Sequence, residues 1–497
     1  MNLSSLFPLI TEVPGYSRLL QQLSKAEGES RLTILNAAKP YLIAALHNEL
    51  ASPVMVITAR AEDRQRLYEE LQVWCPPSAQ VQHFPEPDVL PYEYLASDLT
   101  TMLERLQVLS ALTFWQHSKA SNTRPPLIVA SAAAAMGRTI PTDAFISACH
   151  TLRQGGPADP LKLISRWQTM GYEMENMVEV PGTMSRRGGI ADIFPPCSEF
   201  PARIEFFGNQ IESIRLFDPE NQRSLKALES ITIVPAKEIL VSQVDSHLWQ
   251  QIKDKIDSDS CTAEAKERIE ADMARLWQNQ WFPGAEFYSP LFNSGSIFDY
   301  LPKDALLIVD SPEQIEPVMK RLHEQARELR QAKLEQGELP KGFPPPYFTW
   351  GELQPKIRAK RRLVLEPWGE NCGQALPFTA PQTYAGKLEV FLKATKGMMK
   401  AGQRVMVLSH QANRLAELFE EEGIYVSPTS EVEQAPPPSS VSLVQGSLPQ
   451  GWVMNHVLSL ITDAEIFGFV KQRRPVAKKP IHRRWLLSQL VPGDYVV

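Results

Sequence analysis

Short apolar runs, followed by segments with apolar residues at helical spacing, constrain this chain more than any other feature. Val54-Met55-Val56-Ile57-Thr58 follows Pro53 and leads into Arg60 to Trp74, where Leu67 and Leu71 keep a helical period. Leu127-Ile128-Val129-Ala130-Ser131 opens into the small residues Ala132 to Ala135, and Ala305-Leu306-Leu307-Ile308-Val309-Asp310 ends in a carboxylate. A strand without a polar face must be covered on both sides, so these runs predict a parallel sheet between helices, an α/β arrangement. Residues 37–50 carry a further helical period ahead of the first run. At 497 residues the chain exceeds what one core usually supports, and several domains are expected.

The pattern changes near residue 178, where short alternating segments bounded by turn residues replace helices. Arg203-Ile204-Glu205-Phe206-Phe207, then Gly208-Asn209, then Gln210 to Arg215 predicts a β-hairpin on a two-residue turn. Helical spacing returns over 263–280, and a charged helix is expected from Glu313 to about Gly337. The Pro-rich stretch Pro340 to Pro346 marks a boundary. Beyond it Arg404-Val405-Met406-Val407-Leu408-Ser409 leads into Ala412 to Glu422, echoing the earlier strand-helix pair and predicting a smaller α/β domain. Pro436 to Ser440 is expected as a surface loop, and Lys471 to Arg484 as a polar, basic linker.

Composition narrows the function classes. The hydrophobic fraction of 43% and charged fraction of 22% are those of globular domains. A formal charge of −6 lacks the overall basicity that non-specific DNA binding needs, so any nucleic-acid contact must be local. The candidate is the linker, with Lys471, Arg473, Arg474, Lys478, Lys479, Arg483 and Arg484 able to grip phosphates or to serve as solvated linker charge. Cys75, Cys149, Cys197, Cys261 and Cys372 are far apart, which suggests neither a zinc site nor a disulfide framework and fits a reducing cytoplasm. No apolar stretch approaches a membrane span, and Met1 to Leu20 lacks the pattern of an export signal. His83, His150 and His410 have no carboxylate at suggestive spacing and read as surface or strand-edge residues, and Glu420-Glu421-Glu422 reads as an exposed acidic patch.

A sheet of this type hydrolyses nucleotide only with a glycine-rich loop ending in Lys-Ser/Thr, whose amides cradle phosphate and whose hydroxyl holds magnesium. No such loop occurs. Where it should lie, before the first helix, the sequence reads Leu35-Asn36-Ala37-Ala38-Lys39-Pro40, and Pro40 supplies neither hydroxyl nor backbone donor. Asp310 stands where a metal-binding carboxylate would, but Ser311-Pro312 follows and Glu313 is displaced. Lys39, Pro40 and Asp310 therefore mark a degenerate nucleotide site, and no cofactor is expected for this chain.

The most distinctive segment runs from Val178 to Pro195 and contains Ser185-Arg186-Arg187-Gly188-Gly189-Ile190-Ala191-Asp192. Gly188-Gly189 releases the backbone into a turn and puts two guanidinium groups at its shoulder. On physics alone, those arginines either meet a partner or pair with Glu205 or Glu212 on the next strands.

The run from Met170 to Glu238 favours the first. Its Gly171-Tyr172, Arg187-Gly188-Gly189, Asp192-Ile193-Phe194-Pro195, Arg203 to Phe207 and Phe217 to Ser224 are similar to the UvrB-homology module of the transcription-repair coupling factor family. Phe84-Pro85-Glu86, Pro91-Tyr92-Glu93, Glu104-Arg105-Leu106, Phe298 to Pro302 and Thr462 to Gly468 extend the resemblance over nearly the whole chain. It implies a non-contiguous, degenerate RecA-like domain in residues 1–152 and 240–339, interrupted by a β-rich UvrA-interacting domain in 153–239. A small α/β domain at 340–468, a linker at 469–485 and the start of an RNA-polymerase-interacting domain at 486–497 would follow. The ending Pro492 to Val497 reads as a turn entering a strand, so the polypeptide is expected to continue.

The resemblance further implies a UvrA surface built from Arg187, Arg186, Gly188, Gly189, Asp192, Glu205 and Arg215. A second family arginine, just after Gly-Tyr-Glu, is Met174 here, and Arg186 is the substitute at hand. The expected role is recruitment of UvrA to RNA polymerase stalled at DNA damage, with autoinhibition of an ATP- and magnesium-dependent DNA motor that lies outside these residues. A freestanding UvrA-binding adaptor and a UvrB-like ATPase are the rival readings.

Overall fold

The structure, a computed structural model, describes residues 1–24, 28–117, 124–241, 246–366 and 374–468. The basic residues Lys471, Arg473, Arg474, Lys478, Lys479, Arg483 and Arg484, and the strand expected from 486, lie outside the described residues.

The apolar runs form one six-stranded, wholly parallel sheet. Its order is Glu29–Thr33, Arg361–Glu366, Leu306–Asp310, Val54–Thr58, Pro126–Ser131, Gln80–Phe84. Every side chain of Val54–Thr58 and Pro126–Ser131 is buried. Strand alternation sends them to two different cores. Val54, Val56, Leu127, Val129, Leu306 and Ile308 face a cluster with the Lys39–Glu49 helix. Met55, Ile57, Ile128, Ala130, Leu307 and Val309 face another with the Leu99–His117 helix.

The strand Arg361–Glu366 corrects the domain boundary expected at residue 340. It lies in the first sheet, between Glu29–Thr33 and Leu306–Asp310, instead of starting the smaller domain. The reason is its own alternation: Leu363 and Leu365 enter one core while Val364 enters the other. Only a seat covered on both faces satisfies such a strand.

The second sheet is the β-rich insert. Ser224–Ala227, Gln210–Phe217, Ala202–Phe207, Ile190–Ile193 and Thr183–Arg187 are antiparallel neighbours in that order, and the short strand Glu173–Met174 adds in parallel. Met184, Ala191, Ile193, Ile204, Ile211 and Ile214 point inward, onto Leu163, Ile164 and Trp167 of the Pro160–Thr169 helix. The chain enters through His150–Arg153 and leaves through Ser230–Ile233, and these two strands pair antiparallel as a neck.

A third sheet is ordered Phe378–Thr379, Trp452–Met454, Leu458–Thr462, Arg404–Ser409, Val441–Gln445, Pro428–Thr429. An aromatic knot fixes it to the first. The Trp452 ring lies 5.0 Å from Tyr41, 5.9 Å from Trp74 and 5.3 Å from Phe378, all within one apolar cluster. Among the described residues, no helix is long and apolar enough to cross a membrane, and no group of side chains could hold a metal ion.

Candidate functional site

The strands Thr183–Arg187 and Ile190–Ile193 meet at a two-residue turn, with Arg187 opposite Ile190. Gly188 there has φ +60°, a conformation that disfavours a side chain. Arg186, Arg187, Gly188 and Gly189 are all exposed. Alternation puts Arg187 on the outer face with Ser185 and Asp192, whereas Arg186 follows Met184 on the opposite side.

The outer face is a graded surface. At its middle Asp192 is nearly buried, and Arg203 closes on both of its carboxylate oxygens at 2.8 Å while lying 4.6 Å over the Phe217 ring. Beside it Glu205 accepts from Ser213 Oγ at 2.6 Å and from Arg215. Asp192, Glu205 and Arg215 are therefore engaged with their neighbours and brace the sheet. Arg187 pairs with neither Glu205 nor Glu212; its guanidinium donates to the Asn176 carbonyl, and the residue is exposed. The Arg186 side chain has no hydrogen bond or ion pair among the described residues, while its backbone lies in the ladder opposite Ala191.

Sequence reasoning missed Phe207. Phe206 N donates to Gly189 O at 2.8 Å, which brings Phe207 to the arginine turn. Phe206 turns inward with Ile204, so Phe207 must turn out, where it is 80% exposed next to Ile190 at 37%. Met174 and Met177 add exposed thioether surface on the same edge of the domain. An exposed aromatic beside an outward arginine is the composition of an interface hot spot. The signal was present in the sequence: in Arg203-Ile204-Glu205-Phe206-Phe207, one of two adjacent phenylalanines has to face water.

The second candidate region is the carboxyl edge of the first sheet. Lys39 begins its helix, is 5% exposed, and puts Nζ 2.5 Å from Asp310 Oδ1 and 3.4 Å from Ser311 Oγ. Ser311 itself bonds Asp310 Oδ1 at 3.1 Å. Pro40 is buried in the first turn of the helix. The lysine is satisfied internally, by the carboxylate at the end of a neighbouring element.

Two of the histidines expected at the surface or at strand edges lie in strands, and both are held in side-chain networks. His83 is buried, with Glu104 Oε2 3.2 Å from Nε2 and Arg64 on Nδ1; Arg64 also reaches Glu86 at 3.5 Å. Arg105 joins the Pro85 carbonyl to Glu238 at 2.9 and 2.5 Å, tying this edge to the exit of the insert. His150, in the neck, accepts the Trp167 indole N–H at 3.1 Å on Nε2. Burial first, then the charge of Arg166, lowers its pKa to about 4. The unfolded chain takes up this proton near pH 6.5 and the folded chain only near 4, so the contribution of His150 to stability falls as pH falls between those values and does not change above them. The expected loss is up to about 3 kcal/mol. Denaturant unfolding at stepped pH checks it; His150→Gln should remove the step.

Residues 151–239 match the UvrB interaction domain. A transcription-repair-coupling factor of Bacillus subtilis is 26% identical over 98% of this chain and 42% of its own length. That of Myxococcus xanthus is 30% identical over 46% of the chain and 19% of its own. One from Staphylococcus aureus is 23% identical over 96% and 42%. The chain spans about two fifths of the length of the relatives it matches nearly end to end. It carries a UvrB interaction domain and is similar, along nearly its whole length, to the N-terminal part of the transcription-repair-coupling factors.

Proposed function

We propose that this chain is the partner-recruiting part of a transcription-repair coupling factor, and that residues 151–239 dock UvrA through the corner formed by Arg187, Arg186, Gly188, Gly189 and Phe207. The observation that carries the reading is the exposure of both Arg187 and Phe207 at the Gly188-Gly189 turn of a domain matching the UvrB interaction family. Asp192, Glu205 and Arg215 act beneath it, holding the strands that present the corner. In the cytoplasm, the recruited UvrA would be brought to RNA polymerase stalled on damaged DNA, with polymerase and DNA contacts supplied by regions beyond those described.

The first sheet acts in this reading as a degenerate RecA-like scaffold that neither binds nor hydrolyses ATP. Lys39, the residue best placed to meet a phosphate, is held by Asp310. The same exposed corner explains autoinhibition: an apolar, cationic patch invites cover by the motor until UvrA is needed. Titrating purified UvrA into the chain tests the reading. Saturable binding that high salt weakens is expected; no binding, or magnesium-dependent ATP turnover by the chain alone, overturns it.

A further inference from the structure

A cavity of about 410 Å³ opens at the amino edge of the first sheet, the end opposite Asp310, and four of its lining residues are arginines: Arg18, Arg31, Arg361 and Arg362. Strand register creates the cluster. Glu29 pairs with Arg362, so the first residues of two neighbouring parallel strands meet at one rim, with the Tyr16–Leu23 helix carrying Arg18 across from them.

Carboxylates answer only part of this charge. Arg31 reaches Glu29 at 2.8 Å and Glu366 at 2.7 Å, and Arg362 shares Glu29 at 2.8 Å. Arg361 is 9% exposed, yet its hydrogen bonds go only to neutral acceptors: the Leu23 carbonyl at 2.5 Å, Ser52 Oγ at 2.8 Å and the Asp304 carbonyl at 2.7 Å. Burial lowers its pKa, and the nearby Asp304 carboxylate offsets only part of that effect. Arg18 is exposed and has no ion pair among the described residues. Among the described residues, four guanidinium groups stand against three carboxylates, Glu29, Glu366 and Asp304, which leaves a net positive charge around a polar cavity.

An uncompensated buried cation is costly, and a bound anion relieves that cost. Guanidinium groups that line one cavity from a helix and two strands offer several donor forks to the tetrahedral oxygens of phosphate. We infer that this cavity binds a compact phosphate-bearing anion of two or more negative charges, a diphosphate group being the best match to its size and charge. The ligand is held by side chains at the amino ends of the strands. It is separate from the Lys39–Asp310 edge, which lies one strand length, about 16 Å, away.

The test is calorimetric titration of inorganic pyrophosphate into the full chain at low salt. Binding with a dissociation constant below about 1 mM is expected, weakened at least tenfold by Arg18→Glu and several-fold by Arg31→Gln. Both side chains are exposed, so circular dichroism should show the fold retained. Arg327→Glu, exposed on the Pro312–Glu335 helix and outside the cavity lining, should bind pyrophosphate as the wild type does. No binding at about 10 mM pyrophosphate, or equal binding by folded Arg18→Glu and wild type, overturns the inference.

Discussion

Arg187→Glu should weaken UvrA binding by about 100-fold or more while leaving the chain folded. Reversing an exposed interface charge loses one charge-assisted bond and sets a carboxylate against whatever the arginine met, together about 3 kcal/mol or more. The folded chain loses little, because Arg187 is exposed and its bond here is to one backbone carbonyl. Phe207→Ala should cost about 2 kcal/mol of binding by removing the apolar anchor, again without unfolding a side chain that is already 80% exposed. Titration of UvrA into each variant, with thermal melts alongside, separates binding from folding. Wild-type affinity in both would remove this corner from the interface.

The second large effect belongs to stability. Lys39→Met should destabilise the chain by about 2 to 4 kcal/mol, because Asp310 then loses its ion pair and is left with only the Ser311 hydroxyl. The effect stays below that of a fully buried pair, since the Asp310 side chain is 21% exposed. Adding Asp310→Leu should recover most of the loss, as replacing both members removes the orphaned charge. Denaturant midpoints measure this. If the double variant is as unstable as the single one, the pair is not the element that stabilises this edge.

Much of the fold was legible because burial on both faces leaves a plain mark. Val54–Thr58, Leu127 to Ser131 and Leu306–Asp310 read as strands from apolar content alone, and the Gly208-Asn209 turn located the hairpin between Ala202–Phe207 and Gln210–Phe217. Edge strands hid themselves. Glu29–Thr33 and Gln80–Phe84 lie at the two borders of the first sheet, are polar in sequence, and gain their conformation from a neighbour. The arginine turn was visible through its glycines, but how Arg187 is held depended on Asn176, eleven residues away on another segment. The His83 network was hidden for the same reason, since Arg64 and Glu104 come from separate helices.

The placement of Arg361–Glu366 bears on how the protein is made. Glu29–Thr33 leaves the ribosome early, yet the strand it pairs with, Arg361–Glu366, is synthesised about 330 residues later. At 5 to 20 residues per second the amino-terminal strand waits roughly 15 to 65 seconds with its backbone donors and acceptors unclaimed. Throughout that interval the insert, already complete in sequence by residue 239, can settle, whereas the first sheet stays open along one side. Nascent chains arrested before residue 361 should therefore expose a sticky border that chaperones would recognise, and those arrested well past 366 should not.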